Sequence, residues 1–170
     1  APTDPVITLN NTAPTNKTVR ATTTYSADSV TKEVSYDEGV TWTKLANNTF
    51  TTYRDFTTNG EVWARAVDRA GNVSNIVKAQ ITNIDKLAPD APTFHPDITE
   101  LTNQNVTVGV EYSDDSHTKQ YSLNGSSWLL YTNAIVFEKN GTLYARGIDE
   151  AGNISEVVNY VVSNIDKIAP

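Results

Sequence analysis

The chain has 170 residues, and its 13 Lys and Arg against 20 Asp and Glu give a formal net charge of −7. Such an acidic chain repels nucleic-acid phosphates, and it contains no apolar run of the roughly 20 residues that cross a bilayer. Because it has no cysteine and only two histidines, thiolate chemistry is excluded and a nucleophile–histidine relay is disfavoured. We therefore expect no nucleic-acid partner and no membrane insertion, and we expect that the protein is not an enzyme.

β-Strands are predicted along the whole chain. Every second residue from 19 to 25 is predicted to face inward, which is the pattern of a strand with one buried face. These residues are Val19, Ala21, Thr23 and Tyr25. The second half continues the pattern through two Asn-Gly turns, the strongest short hairpin signal, and no segment carries a helical apolar stripe. The strands predicted in this half span residues 93–94, 106–112, 119–123, 128–131, 134–137, 142–149 and 155–165.

The sequence is an internal duplication. Residues 68–74 (Asp-Arg-Ala-Gly-Asn-Val-Ser) return as 149–155 (Asp-Glu-Ala-Gly-Asn-Ile-Ser), and residues 83–89 (Asn-Ile-Asp-Lys-Leu-Ala-Pro) return at the same spacing as 164–170. A proline-rich junction at 88–92 separates the copies, and proline makes such a junction stiff. We predict two domains, residues 1–89 and 90–170, and we expect them to be part of a longer tandem array.

About seven short strands in each copy predict an all-β fold, with two tandem β-sandwiches of the Ig-like or fibronectin-III-like kind. Alternation along the strands assigns the inward-facing residues of both sandwiches. The expected core residues are Val62, Ala64, Ala66, Val77, Ala79, Ile81, Val106, Val108, Val110, Val158, Tyr160 and Val162.

Three segments of the second copy resemble the bacterial Ig-like repeats of large extracellular proteins. They are residues 121–128 (Tyr-Ser-Leu-Asn-Gly-Ser-Ser-Trp), 140–146 (Asn-Gly-Thr-Leu-Tyr-Ala-Arg) and 149–155. Residues 83–89 are similar to the Asp-Lys-x-Ala-Pro junction of that family. The resemblance implies tandem modules of adhesins, biofilm-associated proteins or S-layer-like proteins, or accessory modules of secreted polysaccharide-degrading enzymes.

Five carboxylates are expected to meet where the second copy begins. In an Ig-like sandwich, the turn between the last two strands lies at the same end as the N-terminus, so Asp149 should face the linker residues Asp85 and Asp90. The turn with Asp114 and Asp115 lies at that end too. Clustered carboxylate oxygens suit Ca²⁺, which takes 6–8 oxygen ligands, and junctions stiffened by calcium also fit the resemblance.

The same aspartates have a structural interpretation that needs no metal. In each Asp-x-Ala-Gly-Asn segment the Asp side chain caps a turn, the Gly supplies a positive φ, and the Asn tolerates a left-handed backbone. Lys86 could neutralise Asp85 without an ion. The matching positions of the first copy are Asp4, Asp28 and Asp68, and a calcium site there should be weaker because an upstream domain is lacking.

The aromatic residues on the predicted outer faces also have two interpretations. Alternation turns Trp63 and Arg65 outward, and Tyr144 and Arg146 take the same places in the second copy. They form either an aromatic–arginine stack on the sheet or a platform for sugar rings. Trp42 and Trp128, next to their hairpin turns, are expected to pack over the edge of the sandwich.

The sequence thus predicts structural spacer or stalk repeats of an extracellular or cell-surface bacterial protein, which project a binding or catalytic head. The partners expected are neighbouring Ig-like repeats of the same chain, with any glycan or host-surface ligand bound by other domains. A carbohydrate-binding accessory module of a secreted polysaccharide-active protein is the alternative. Calcium is the one cofactor expected.

Overall fold

The first domain is built from seven strands, and the alternation of inward and outward residues is clearest along residues 19–24 and 60–67. The computed structural model describes all 170 residues and contains no helix, so no helical segment is long and apolar enough to cross a membrane. The prediction of an all-β fold is confirmed. The strands of the first domain are β1 (Val6–Leu9), β2 (Val19–Thr24), β3 (Thr31–Ser35), β4 (Thr43–Lys44), β5 (Thr51–Phe56), β6 (Gly60–Val67) and β7 (Val77–Ile81).

These strands form two antiparallel sheets, one with the order β1-β2-β5 and the other with the order β4-β3-β6-β7. In constant-type Ig domains the fourth strand joins the first sheet, whereas here β4 pairs with β3. The arrangement is a fibronectin-III-like form of the sandwich. Val19 and Phe56 from one sheet pack with Val34, Val62 and Ile81 from the other to form the core.

The second domain repeats this topology with its own strands. Its sheets have the orders β12-β9-β8 and β11-β10-β13-β14, and its core is assembled around Val106, Val108, Leu143 and Val162. The strands are β8 (Thr93–Pro96), β9 (Val106–Glu111), β10 (Thr118–Ser122), β11 (Leu129–Leu130), β12 (Ile135–Phe137), β13 (Gly141–Ile148) and β14 (Val158–Val162).

The chain divides into two compact units, Ala1–Asp85 and Lys86–Pro170. The division falls slightly before the boundary that the repeat suggests, after residue 89. Pro89 is buried and lies 3.9 Å from the position that a Cβ atom of Gly147 would take. It therefore packs into the second unit, which explains the shift.

Most of the expected core residues are buried, but two on the last strand of each domain are only half-buried. The half-buried ones are Val77, Ala79, Val158 and Tyr160. The expectation of full burial was wrong for them because β7 and β14 are edge strands of their sheets. An edge strand has a neighbour on one side only, so part of its inner face stays open to solvent.

Lys32 occupies a core position that alternation assigns to an apolar residue. Its side chain is 1% exposed, and Nζ donates to the Asn47 carbonyl at 2.7 Å. The ammonium group also lies 4.0 Å from the centre of the Phe50 ring, which compensates part of the cost of burying a charge. Lys119, in the same register on β10, is exposed, so the two cores differ at this place.

Because each domain has its own core, they should lose their structure separately. In the substitution Val110→Asp, a carboxylate enters the core of the second domain without a partner, at a cost of about 3–5 kcal/mol. That cost is comparable to the whole stability of a small domain. We expect calorimetry of the variant to keep the transition of the first domain and to lose that of the second. The loss of both transitions together would contradict independent folding.

Candidate functional site

The predicted site residue Asp149 caps its own turn. Its Oδ1 accepts from the backbone N–H of Asn153 at 2.7 Å, and its Oδ2 accepts from the Asn153 side-chain amide at 2.8 Å. Gly152 provides the positive φ of 89° that the turn needs. Asp68 and Asn72 make the same contacts in the first domain. Hydrogen bonds from Asn72 lower the pKa of the Asp68 carboxyl, and the carboxylate is thereby held in its ionised form.

The other predicted ligands lie on the surface, and the structure connects two of them. The Ser113 hydroxyl lies 2.6 Å from an Asp115 carboxylate oxygen and 3.4 Å from the Asp90 carbonyl. Asp114 is exposed in the same turn. The pairing of Thr118 with Ile148 puts this turn and the Asp149 turn at one end of the second domain.

Asp85 belongs to the first unit, and the other four aspartates belong to the second. Its backbone N–H donates to the Thr15 carbonyl at 2.9 Å. Within either unit, no three carboxylate or imidazole groups are close enough together to hold a metal ion. A calcium ion shared by Asp85, Asp90, Asp114, Asp115 and Asp149 stays a prediction.

The matching aspartates of the first domain are occupied by hydrogen-bond donors. The Asp4 carboxylate accepts from the backbone and the side-chain amide of Asn75 at 2.9 and 3.0 Å. Asp28 accepts from the Thr3 N–H at 3.1 Å and from the Ser26 hydroxyl. Both carboxylates are thereby hydrogen-bonded within the first domain.

The outer face of the four-stranded sheet carries aromatic–arginine stacks, but their aromatic members are Trp42 and Trp128 and not the predicted Trp63 and Tyr144. The Arg65 guanidinium lies 4.1 Å from the ring centre of Trp42, and Arg146 lies at the same distance from Trp128. Arg65 is also held by Glu33 at 2.7 Å, whereas Arg146 donates to the Gln120 amide oxygen at 2.8 Å. Each contact of this kind contributes about 0.5–1 kcal/mol at an exposed site.

Trp63, the main candidate for a sugar platform, is covered by its own domain. Lys78 Nζ lies 3.6 Å from the ring centre, and Nε1 donates to Glu61 at 2.7 Å. The Gly39 turn packs so closely on the ring that a Cβ atom at Gly39 would lie 2.8 Å from Cζ3. A sugar ring would have to displace these groups, so the contacts favour the structural interpretation of Trp63.

The histidine with polar neighbours does not form a catalytic relay. His95 Nε2 lies 3.0 Å from Glu111 Oε2 and 3.3 Å from the Thr93 hydroxyl. A relay needs one ring nitrogen for the nucleophile and the other for the carboxylate. Here both contacts fall on the same nitrogen, so His95 cannot pass a proton from Thr93 to Glu111.

A set of side-chain amides, which we call the amide lock, is the repeated feature that sequence reasoning missed. In the first domain the Asn59 side chain pairs with Ile84, donating to its carbonyl at 3.1 Å and accepting from its N–H at 2.9 Å. The Asn83 side chain donates to the carbonyls of Asn11 and Ala13 at 3.3 and 2.7 Å. The lock thus explains the conspicuous Asn-Ile-Asp segment, in which the side chain of Ile84 is buried.

The second domain contains the same lock. Asn140 pairs with Ile165 at 3.0 and 2.9 Å, and Asn164 donates to the carbonyls of Ile98 and Glu100 at 3.1 and 2.9 Å. The repeated Asn-Gly pairs and Asn-Ile-Asp segments are the sequence signal for it. Asn-Gly alone indicates only a turn, and the 25-residue separation between Asn140 and Ile165 hides their contact.

The comparisons with known proteins yield only distant similarities. Neither a protein-family model nor a curated protein sequence matches the chain. Among solved structures it is similar to the fibronectin(III)-like modules of CbhA from Clostridium thermocellum, with a TM-score of 0.39 and 12% identity over 95% of both chains. It is also similar to the full ectodomain (Ig1–Ig3) of mouse nectin-like molecule 4, with a TM-score of 0.37 and 14% identity over 99% of this chain and 66% of that one.

The turn between β3 and β4, which contains Asp37, should lose stability in acid. Hydrogen bonds from Thr41 and Ser35 lower the pKa of the Asp37 carboxyl to about 2, from the value of 3.8 expected when it is unfolded. The stabilisation is therefore present above about pH 4 and is lost as the pH falls towards 2. Asn124 forms the equivalent contacts with Ser122 and Ser127 in the second domain without a charge.

In the substitution Asp37→Asn, the turn should keep its acceptor and lose this titration. We expect the melting temperature of the first domain to fall less between pH 4 and pH 2 in the variant than in the unmodified chain. The melting temperature of the second domain, measured in the same scans, is the control and should be identical in both proteins. Equal acid sensitivity of the first domain in both would contradict the assigned role of Asp37.

The calcium prediction is tested by melting the unmodified chain in Ca²⁺ and in EGTA. An ion that binds only the folded chain stabilises it by about 2.7 kcal/mol at a hundredfold excess over Kd, so the melting temperature should rise in Ca²⁺. In Asp115→Asn, which keeps an acceptor for the Ser113 hydroxyl, the rise in Ca²⁺ should be smaller. An identical melting temperature of the unmodified chain in both buffers would contradict the prediction.

Proposed function

We propose that the two domains are structural spacer modules of a bacterial surface or secreted protein, where they project a binding or catalytic head. The main support is that the repeated residues make their contacts within their own domain. The Asp-x-Ala-Gly-Asn turns, the amide locks and the tryptophan–arginine stacks all make contacts inside their own domain. What the two copies share is therefore what each needs to fold.

The outer surfaces of the two copies, by contrast, have diverged. Trp63 is replaced by Tyr144, and Glu33, the partner of Arg65, is replaced by Gln120. A ligand site repeated for avidity would keep the same groups in each copy. Divergence on the surface, together with the turns and amide locks that both copies retain, supports a module selected for its fold, and it weakens the carbohydrate-binding alternative.

A spacer role implies particular partners and a particular location. Its partners would be neighbouring Ig-like repeats of the same chain, and its location would be extracellular or on the cell surface. Stability without cysteine suits either environment, because no disulfide has to form. The modules themselves would be non-catalytic.

A replacement experiment in the full-length surface protein tests the proposal. The two domains are exchanged for an unrelated pair of β-sandwich domains with the same contour length, and adhesion or catalysis by the head is measured on intact cells. We expect the exchange to preserve this activity and the deletion of both domains to reduce it. Failure of the exchanged protein, with normal display on the surface, would show that these domains contribute a ligand site of their own.

A further inference from the structure

A backbone bridge beside the amide lock joins the two ends of each domain. In the first domain Thr15 and Ile84 form an isolated bridge in parallel orientation. The Thr15 N–H donates to the Asn83 carbonyl and the Asp85 N–H donates to the Thr15 carbonyl, both at 2.9 Å. Thr102 forms the same parallel bridge with Ile165 in the second domain. Residues near the N-terminal end of each domain, the entering segment, are therefore hydrogen-bonded to residues near its C-terminal end, the leaving segment.

Parallel orientation decides how this connection responds when the ends are pulled apart. The entering segment is pulled towards its N-terminus and the leaving segment towards its C-terminus, so the two slide along each other. The bonds that connect them then resist together instead of opening one after another. Detaching β1 does not relieve the connection, because Thr15 follows β1 in the chain and then takes the tension itself.

The asparagine side chains enlarge this connection well beyond one bridge. Asn83 adds two hydrogen bonds to the entering segment. Asn59 holds Ile84 from the start of β6, in the middle of the four-stranded sheet. The leaving segment, which contains Asn83 and Ile84, is thus hydrogen-bonded both to the entering segment and to a residue next to a central strand.

We propose that the amide lock and this parallel backbone bridge together form the mechanical clamp of each domain, the group of bonds that sets its resistance to unfolding under tension. The proposal rests on the spacer function, since a spacer transmits force between its ends. It assigns Asn59 and Asn83, and likewise Asn140 and Asn164, as the residues that position the clamp. Forced unfolding is governed by the unfolding rate and not by the equilibrium stability, so the clamp can be separated from the contacts that only add stability.

The experiment holds the two-domain chain by its ends at constant tension and records the two unfolding steps. In Asn140→Asp, the side chain keeps its size, loses the donor to the Ile165 carbonyl and gains a charge that repels that carbonyl. We expect one of the two steps to occur about tenfold sooner, as the loss of one such hydrogen bond implies. The double variant with Asn59→Asp should accelerate both steps.

Two control variants of the second domain separate the clamp from charge and from stability. Asn124→Asp makes the same chemical change in a hairpin turn, at a position where the first domain already carries Asp37. Ser155→Ala removes the 2.9 Å hydrogen bond to the Gly147 N–H, at the end of β13 away from Asn140. Both controls should leave the unfolding rates under tension unchanged, although Ser155→Ala should lower the free energy of unfolding in denaturant.

The outcomes separate this proposal from the spacer function. Unchanged rates in the Asn140→Asp chain, or an equal acceleration by Ser155→Ala at an equal loss of stability, would overturn the clamp and leave the spacer function intact. A failed domain exchange together with accelerated unfolding of Asn140→Asp would overturn the spacer function alone. If Asn140→Asp does not fold, Asn164→Ala, which removes the bonds to Ile98 and Glu100, replaces it under the same criteria.

Discussion

The packing of two small sheets across one apolar layer is the constraint on which each domain depends. Val19 and Ala21 from β2 meet Val62 and Ile81 from the opposite sheet, and Ala64 and Ala66 of β6 form a smaller buried cluster with Tyr25. A unit of this size buries a modest share of its surface, so its hydrophobic stabilisation leaves little excess over the entropy lost on folding. Each turn and each chain end therefore has to be secured by other contacts.

Small extracellular domains often secure these places with disulfides, and this chain uses polar side chains instead. The Tyr25 hydroxyl donates to the Glu33 carbonyl at 2.7 Å, and Tyr112 donates to Gln120 at 2.8 Å. Burial raises the pKa of both phenols, so they remain protonated donors at any physiological pH. Together with the aspartate turns and the amide locks, these bonds cross-connect strands that the thin core alone would hold weakly.

The two domains show which parts of this design can vary. The turn acceptor is Asp37 in one copy and Asn124 in the other, and the hydrogen-bond geometry is retained. Lys32 is buried among the first domain's inner residues, while Tyr131 packs against the second core and its hydroxyl accepts from the Val110 N–H at 2.9 Å. Charge and aromatic content can therefore change from repeat to repeat where the polar groups involved keep hydrogen-bond partners, as Lys32 and Tyr131 do.

Alternation and repetition in the sequence determined the all-β class, the two copies and most of the core, because a strand's inward face is a local property of every second residue. Val106, Val108 and Val110 could be assigned in this way. The half-burial of Val77 and Val158 could not, since it depends on β7 and β14 being edge strands. The partners of the amide lock were equally hidden, because Asn59 meets Ile84 only after the sheets have formed. The sequence by itself determined which residues turn inward. The tertiary structure alone decided which distant polar groups meet, because hydrogen bonding across a fold depends on strand order and not on sequence spacing.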